Sequence, residues 1–379
     1  MNSLAARLWH ITSIQRRVFG QRLRPFLVLA WLTTLRCFVA ITWRLDSIFF
    51  RGFRRQVIDR PIFIIGNPRS GTTFLHRFLA EQGDVVGFRA YQMLVPSLTG
   101  RALIRPLLPL LASLNPGKHH AAAAHETSID ALETDDAAMF IRFVDGVFLY
   151  GYFLCWDDAD PSNMFEQLEP GSPQTERDLD FYQQCLKRNL HESGKPRVLG
   201  KLFTFPPRID DVLRRFPDAK LIYMVRDPCE TLPSGLSLLT GVQEQHFHIS
   251  RLPEPTRARF IARVAAGLSL LLTRFVERYR SGEIPAENLM IVRYPDLMAD
   301  LAGTMARVLE FAELDASPQF RARVREVAEQ QRTRASKHRY SLEHYGLDAQ
   351  SIVDDLAEVY RTFDLAPPEG TSLPPVGRR

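Results

Sequence analysis

Apolar residues in this chain fall into short runs separated by longer amphipathic stretches. Residues 62–65 (Ile-Phe-Ile-Ile) form one run, closed by Gly66. A short β-branched run bounded by turn residues predicts a buried strand. Residues 72–81 follow with Phe74, Leu75, Phe78 and Leu79 on one helical face. Further strands are expected at 198–200, 220–225 and 289–292. Helices are expected at 134–151, 175–193, 207–215, 256–280, 296–311 and 351–363. The helix at 134–151 starts with acids, which suit a first turn. Residues 157–175 are rich in Asp, Pro and Ser and predict a surface loop. Strands alternating with helices predict an α/β fold with a central, mainly parallel sheet.

The first sixty residues break this pattern. Residues 26–43 are eighteen residues with a single charge, Arg36. An Arg at a bilayer centre costs about 2.5–3.5 kcal/mol on insertion scales. Both flanks are Arg-rich, so the orientation signal of a spanning helix is weak. One or two helices lying on an anionic membrane surface are therefore expected, with Trp31 and Trp43 at the boundary. A helical hairpin packed on the body ranks second and a true span third. Charge sharpens the division. Residues 1–60 hold eleven Arg, no Lys and two acids, a formal +9, while the remainder is −4. A net-acidic body argues against nucleic acid as a partner. The expected layout is a helical arm (1–58), a catalytic domain (59–366) and a flexible Pro/Gly-rich tail (367–379). Cys37, Cys155, Cys185 and Cys229 are isolated, which fits a reducing compartment and no zinc site. The expected location is cytoplasmic, on the inner face of a membrane.

The chemistry concentrates between the first strand and its helix. Gly66-Asn67-Pro68-Arg69-Ser70-Gly71-Thr72-Thr73 has the glycine spacing of a phosphate-cradling loop. Glycines admit an anion to the backbone, and the helix N-terminus binds it. Thr72 stands where a nucleotide triphosphatase has Lys, which counts against ATP or GTP turnover. Arg69 is placed to reach the 5′ end of a ligand. At the end of the 220–225 strand stands Arg226-Asp227-Pro228, with Ser234 eight residues after Arg226. Ligands of open α/β sheets bind at such strand ends, and an Arg fork suits phosphate.

The string PIFIIGNPRSGTTFLHRFLA resembles the 5′-phosphosulfate loop of the sulfotransferases that use 3′-phosphoadenosine 5′-phosphosulfate (PAPS). The likeness is to their bacterial branch and to the protein-tyrosine sulfotransferases. It covers residues 60–100 and 198–315 and extends to 337–343. It implies a P-loop-containing nucleotide-binding fold. Arg69, Ser70, Gly71, Thr72 and Thr73 would hold the 5′-phosphosulfate, Arg226 and Ser234 the 3′-phosphate, and Lys337 would join the donor site. Lys201 would neutralise the leaving oxygen. No metal is implied, and His119, His120 and His125 are expected to be solvated.

The base is less clear. Where family members place His, this chain has Phe203 and Phe205, and where others place Glu it has Gln92. Gln can hydrogen-bond an acceptor but cannot take its proton. Glu133 is the expected base and His76 the second choice. The acceptor would be a hydroxyl or amine of a small molecule, lipid or glycan. The alternatives are a P-loop nucleotide kinase and an inactive, membrane-docked nucleotide-binding protein.

Overall fold

The computed structural model describes residues 3–110, 132, 139–158, 169–332 and 342–375. The chain begins with α1 (Leu4–Arg17), α2 (Arg24–Phe49), β1 (Ile62–Gly66), α3 (Thr72–Ala80), β2 (Val85–Val86), α4 (Ala90–Leu94), α5 (Leu98–Ile104) and α6 (Gly146–Tyr152). It continues with α7 (Pro173–Ser193), β3 (Arg197–Leu202), α8 (Ile209–Arg215), β4 (Lys220–Val225), α9 (Pro228–Phe247) and α10 (Glu254–Arg280). It ends with β5 (Leu289–Arg293), α11 (Tyr294–Ala299), α12 (Leu301–Phe311), α13 (Pro318–Arg332), α14 (Ala349–Asp355) and α15 (Ala357–Thr362).

The five strands lie in the order β2-β3-β1-β4-β5, and every pairing is parallel. β1 is central and buried along its whole length. Its side chains alternate between two cores. Phe63 and Ile65 join the larger core, with α7, α9 and α10. Ile62 and Ile64 join a smaller one, with α3 and α12. This two-sided burial explains why the run is apolar throughout instead of alternating with polar residues.

Several expected helices differ in detail. The expected helix at 134–151 is, over its described part, a 3-10 turn at Phe140–Phe143 followed by the short α6. Val144 (φ 54°) and Gly146 (φ 70°) take left-handed backbone and interrupt it. The stretch 296–311 divides at Asp300, whose carboxylate accepts from the Gly303 amide and caps α12. The stretch 351–363 divides at Leu356. α9 is not among the expected helices, and it contains Pro233. Asp227 caps it, Pro228 occupies its first turn, and it runs on through Pro233. Within the expected flexible tail, Ser372 exchanges two hydrogen bonds with the Gln350 side chain. Leu373 packs on the larger core.

The N-terminal helices are fastened to the body. Ile11 and Ile14 of α1 belong to the larger core, and Phe19 stacks on Phe247 with ring centres 4.4 Å apart. Trp43, expected at a membrane boundary, instead stacks on Phe181 at 5.2 Å and lies 3.4 Å beneath the Arg188 guanidinium. One turn further, Asp46 is completely buried. It pairs with Arg188 Nε at 2.7 Å and accepts from the amides of Leu98 and Thr99, capping α5 from outside. The second-ranked hairpin thus describes the C-terminal half of α2. Its N-terminal half leaves Phe26, Leu27 and Trp31 exposed. By length and composition α2 could cross a membrane.

Replacing Asp46 should uncover how firmly α2 is held. Asp46→Ala strands Arg188 and uncaps α5, so the unfolding free energy should fall by about 3–5 kcal/mol. Urea denaturation measures this, and an unchanged midpoint would mean that α2 is an independent arm.

Candidate active site

β1 ends at Gly66 with φ 143°, and a Cβ there would stand 2.5 Å from the Met224 carbonyl oxygen. Only glycine lets the β1 and β4 ends approach so closely. The loop that follows is held from both sides. The Asn67 side-chain amide donates to the Leu268 carbonyl oxygen, and Ser70 Oγ donates to the Asn67 carbonyl oxygen. Arg69 itself takes left-handed backbone, φ 74°, a strained choice for a non-glycine residue. Gly71, at φ 98°, precedes α3, and no side chain caps that helix. The first amides of α3 therefore face the loop without intrahelical partners.

Two groups of cations meet this loop. Lys201 lies in β3 and is 3% exposed. Its Nζ donates to Thr73 Oγ1 at 3.1 Å, joining β3 to the first turn of α3. On the other side, Arg69 Nε donates to Ser234 Oγ at 2.8 Å. Arg226 Nη1 donates to the Arg69 carbonyl oxygen at 3.3 Å. The Arg69 side chain thus extends to Ser234, while its backbone carbonyl receives Arg226. Glu230, one turn beyond Arg226, pairs with it at 2.5 Å.

Tyr294 is a site residue that sequence reasoning did not single out. Its ring lies 4.2 Å from the Arg226 guanidinium carbon. The same ring would meet a Cβ added at Gly71, at 3.0 Å. It stands just past the end of β5, and that strand-end position was the available signal. Asp227 accepts hydrogen bonds from the Cys229 amide and from the Tyr360 hydroxyl, which fixes the turn carrying Arg226. Burial pushes the Asp227 carboxyl above its ordinary range.

The candidates for the base separate clearly. Gln92 Oε1 accepts from the Arg89 amide, while its Nε2 donates to Glu192. Both ends of the amide are engaged in structure. Phe205 is a core residue against Phe63 and Tyr182, and Phe203 packs against the same core. Glu133 and Lys337 lie outside the described residues, as do His119, His120 and His125. His76 is fully buried, with Nε2 3.3 Å from the Leu199 carbonyl oxygen. Burial, with the Lys201 charge second, pushes its pKa down to about 3. It is neutral near pH 7 and a weak base. Among the described residues no His, Cys, Asp and Glu cluster could hold a metal ion.

The profile of the sulfotransferase family matches residues 61–318. The chain belongs to the sulfotransferase family. The match begins with β1 and takes in both cation groups. Two curated relatives, from Mycobacterium bovis and Mycobacterium tuberculosis, are named omega-hydroxy-beta-dihydromenaquinone-9 sulfotransferase Stf3. Each is 26% identical over 276 residues, which is 69% of this chain and 65% of the relative. Among solved structures, the chain resembles STF9 from Mycobacterium avium (TM-score 0.67, 19% identity, 83% of this chain and 79% of that one). It also resembles STF1 from Mycobacterium tuberculosis (TM-score 0.64, 21% identity, 93% and 90%). These likenesses establish the fold.

His76 makes the stability of this protein depend on pH. Its folded pKa lies below the ordinary 6.5, so the unfolded chain binds a proton first as pH falls. The stability conferred by the neutral ring is present above about pH 6.5 and is lost progressively toward about pH 3, at up to about 1.4 kcal/mol per pH unit. His76→Asn should remove that part of the slope in urea titrations across this range. A variant that keeps the wild-type slope would show that His76 does not contribute.

Proposed function

We propose that this protein moves a sulfuryl group from PAPS to a hydroxyl of an amphiphilic, lipid-class acceptor, at the cytoplasmic face of a membrane. The observation that carries this reading is the division of the cations. Lys201 stands at the uncapped start of α3, and Arg69, Ser234 and Arg226 form a second group. A ligand with phosphates at two separated points suits such a pair of sites. A triphosphate kinase reading lacks its loop lysine, since position 72 is Thr.

The residues present fit that donor. The uncapped amides of α3 and the small residues of the loop offer a cradle for one anionic end. When bound, the donor supplies a sulfuryl group on a phosphate leaving group. Lys201 holds a buried ammonium where negative charge accumulates as that group departs. Arg69, Arg226 and Ser234 hold the second phosphate, with Tyr294 bracing Arg226. With Gln92, Phe203 and Phe205 engaged elsewhere and His76 weakly basic, Glu133 is the proposed base. Lys337 is proposed to complete the donor site.

Two features support a lipid acceptor. The relatives named above act, by their name, on a menaquinone. The exposed half of α2 presents Phe26, Leu27 and Trp31, and no acid precedes Asp46 in the chain. Such a surface suits an anionic membrane.

Lys201→Ala should lower kcat by about 10²–10³ while 3′,5′-diphosphoadenosine still binds. The assay is transfer of radiolabel from PAPS into a cell lipid extract. No labelled product from the wild-type protein, or tight magnesium-dependent ATP binding in its place, would reject the reading. Paired Leu27→Ser and Trp31→Ser changes should weaken co-sedimentation with anionic liposomes about tenfold or more, at about 1.5–3 kcal/mol per buried side chain. Undiminished sedimentation would remove α2 from the membrane contact.

A further inference from the structure

The helix α15 reaches two of the strand ends around the donor site. Tyr360 is fully buried, and its hydroxyl donates to Asp227 Oδ1 at 2.5 Å. The Cys229 amide donates to the same oxygen at 2.9 Å. Just past the end of α15, the carbonyl oxygens of Phe363 and Asp364 accept from Arg293 Nη1 at 3.3 and 2.9 Å. Arg293 also holds Asp296 through Nε and Nη2, each at 2.8 Å. One short helix is therefore tied to the turn after β4, which carries Arg226, and to the end of β5, which precedes Tyr294. Tyr360, Phe363 and Asp364 all lie beyond residue 318, where the family match ends.

The two ties rest on a packed base. Phe363 stacks on Tyr223 of β4 with ring centres 5.9 Å apart, and on Phe275 of α10 at 6.2 Å. Val359 and the Tyr360 ring belong to the larger core. The Tyr360 hydroxyl is thus presented from a fixed position.

Asp227 is the point where that hydroxyl can matter to a ligand. It directly follows Arg226, and it caps α9, the helix that carries Ser234 in its second turn. Arg226 and Ser234 therefore take their places from one carboxylate. Burial works against the charge of that carboxylate, and the Tyr360 hydrogen bond works for it. Without the hydroxyl, Oδ1 keeps the Cys229 amide as its remaining donor among the described residues. A buried acceptor that loses a donor favours a shift of its surroundings. An Arg fork recognises phosphate by geometry, so a small rotation of this turn is felt at the ligand.

We infer that Tyr360 is a positioning residue of the donor site, holding Asp227 so that Arg226 and Ser234 keep the geometry that selects a 3′-phosphate. The inference rests on the PAPS reading above. Tyr360 acts through Asp227, while Arg293 keeps the end of α15 beside β5.

The test uses the full chain and two nucleotides, 3′,5′-diphosphoadenosine and adenosine 5′-monophosphate, which lacks the 3′-phosphate. Calorimetry reads both affinities, and the wild type should prefer the diphosphate. Tyr360→Phe removes one hydroxyl and keeps the ring in the core. It should weaken 3′,5′-diphosphoadenosine about tenfold and leave the monophosphate within about twofold. With PAPS as donor, KM should rise by about tenfold while kcat stays within about twofold, as expected when a contact made equally before and during transfer is lost. Phe363→Leu is the control for loosened packing, since it trims the aromatic stack and leaves the hydroxyl. It should lower the melting temperature and keep the wild-type ratio of the two affinities. A wild-type ratio in Tyr360→Phe would overturn the proposal, whether both affinities hold or both fall together. So would a Phe363→Leu variant that shifts the ratio as far as Tyr360→Phe does. Equal binding of the two nucleotides by the wild type would reject the PAPS reading itself, and the role of Tyr360 with it.

Discussion

The ends of β1 and β4 approach so closely that position 66 has no room for a side chain. A Cβ there would press on the Met224 carbonyl oxygen at 2.5 Å. That contact decides where the chemistry sits. It brings the loop after β1 against the turn after β4, so that Arg226 can donate to the Arg69 backbone. The parallel register then sets Lys201 beside Ile64 on the opposite flank. Each functional side chain leaves a strand at or near its carboxyl end, where the sheet itself provides no further backbone to cover it.

This explains which parts of the site could be read in one dimension. Gly66, Gly71, Thr72 and Thr73 are legible because backbone conformation and helix initiation demand those residue types locally. Arg226 and Lys201 are legible because an apolar strand announces its own end. What escaped was set by contacts between distant segments. Gln92 reads as an acceptor-binding group by its position, but its amide is consumed by the Arg89 backbone and Glu192. Tyr294 matters only because β5 lies beside β4 and turns its first helical residue toward Gly71 and Arg226. The helix α9 was hidden by Pro233, whose local meaning is a break, yet the Asp227 cap and the packing of Leu232 and Leu236 keep the chain helical.

The N-terminal sixty residues teach the same lesson through charge. Their formal +9 suggests a solvated arm seeking an anionic surface. One of its two acids, Asp46, is in fact buried against Arg188 and caps α5. Some of the positive surplus is internal as well, since Arg36 is partly buried and feels Arg7 and Arg177. Net charge summed over a segment says nothing about which charges face water. A helix can therefore be basic and apolar enough to suggest a membrane while one half of it serves as a structural buttress.

The acidic balance of the remaining chain poses no obstacle to an anionic ligand, because recognition depends on local field and not on the total. Lys201 is almost fully buried, and an ammonium in that setting acts on a nearby anion with little screening. Arg226 is more exposed and already shares its charge with Glu230. The two cation groups therefore differ in kind. The buried one favours charge that appears during reaction, where reorganising water would be costly. The exposed one suits charge that is present throughout, and Glu230 already partners it. That asymmetry comes from position, since Lys201 lies within β3 and Arg226 just beyond the end of β4.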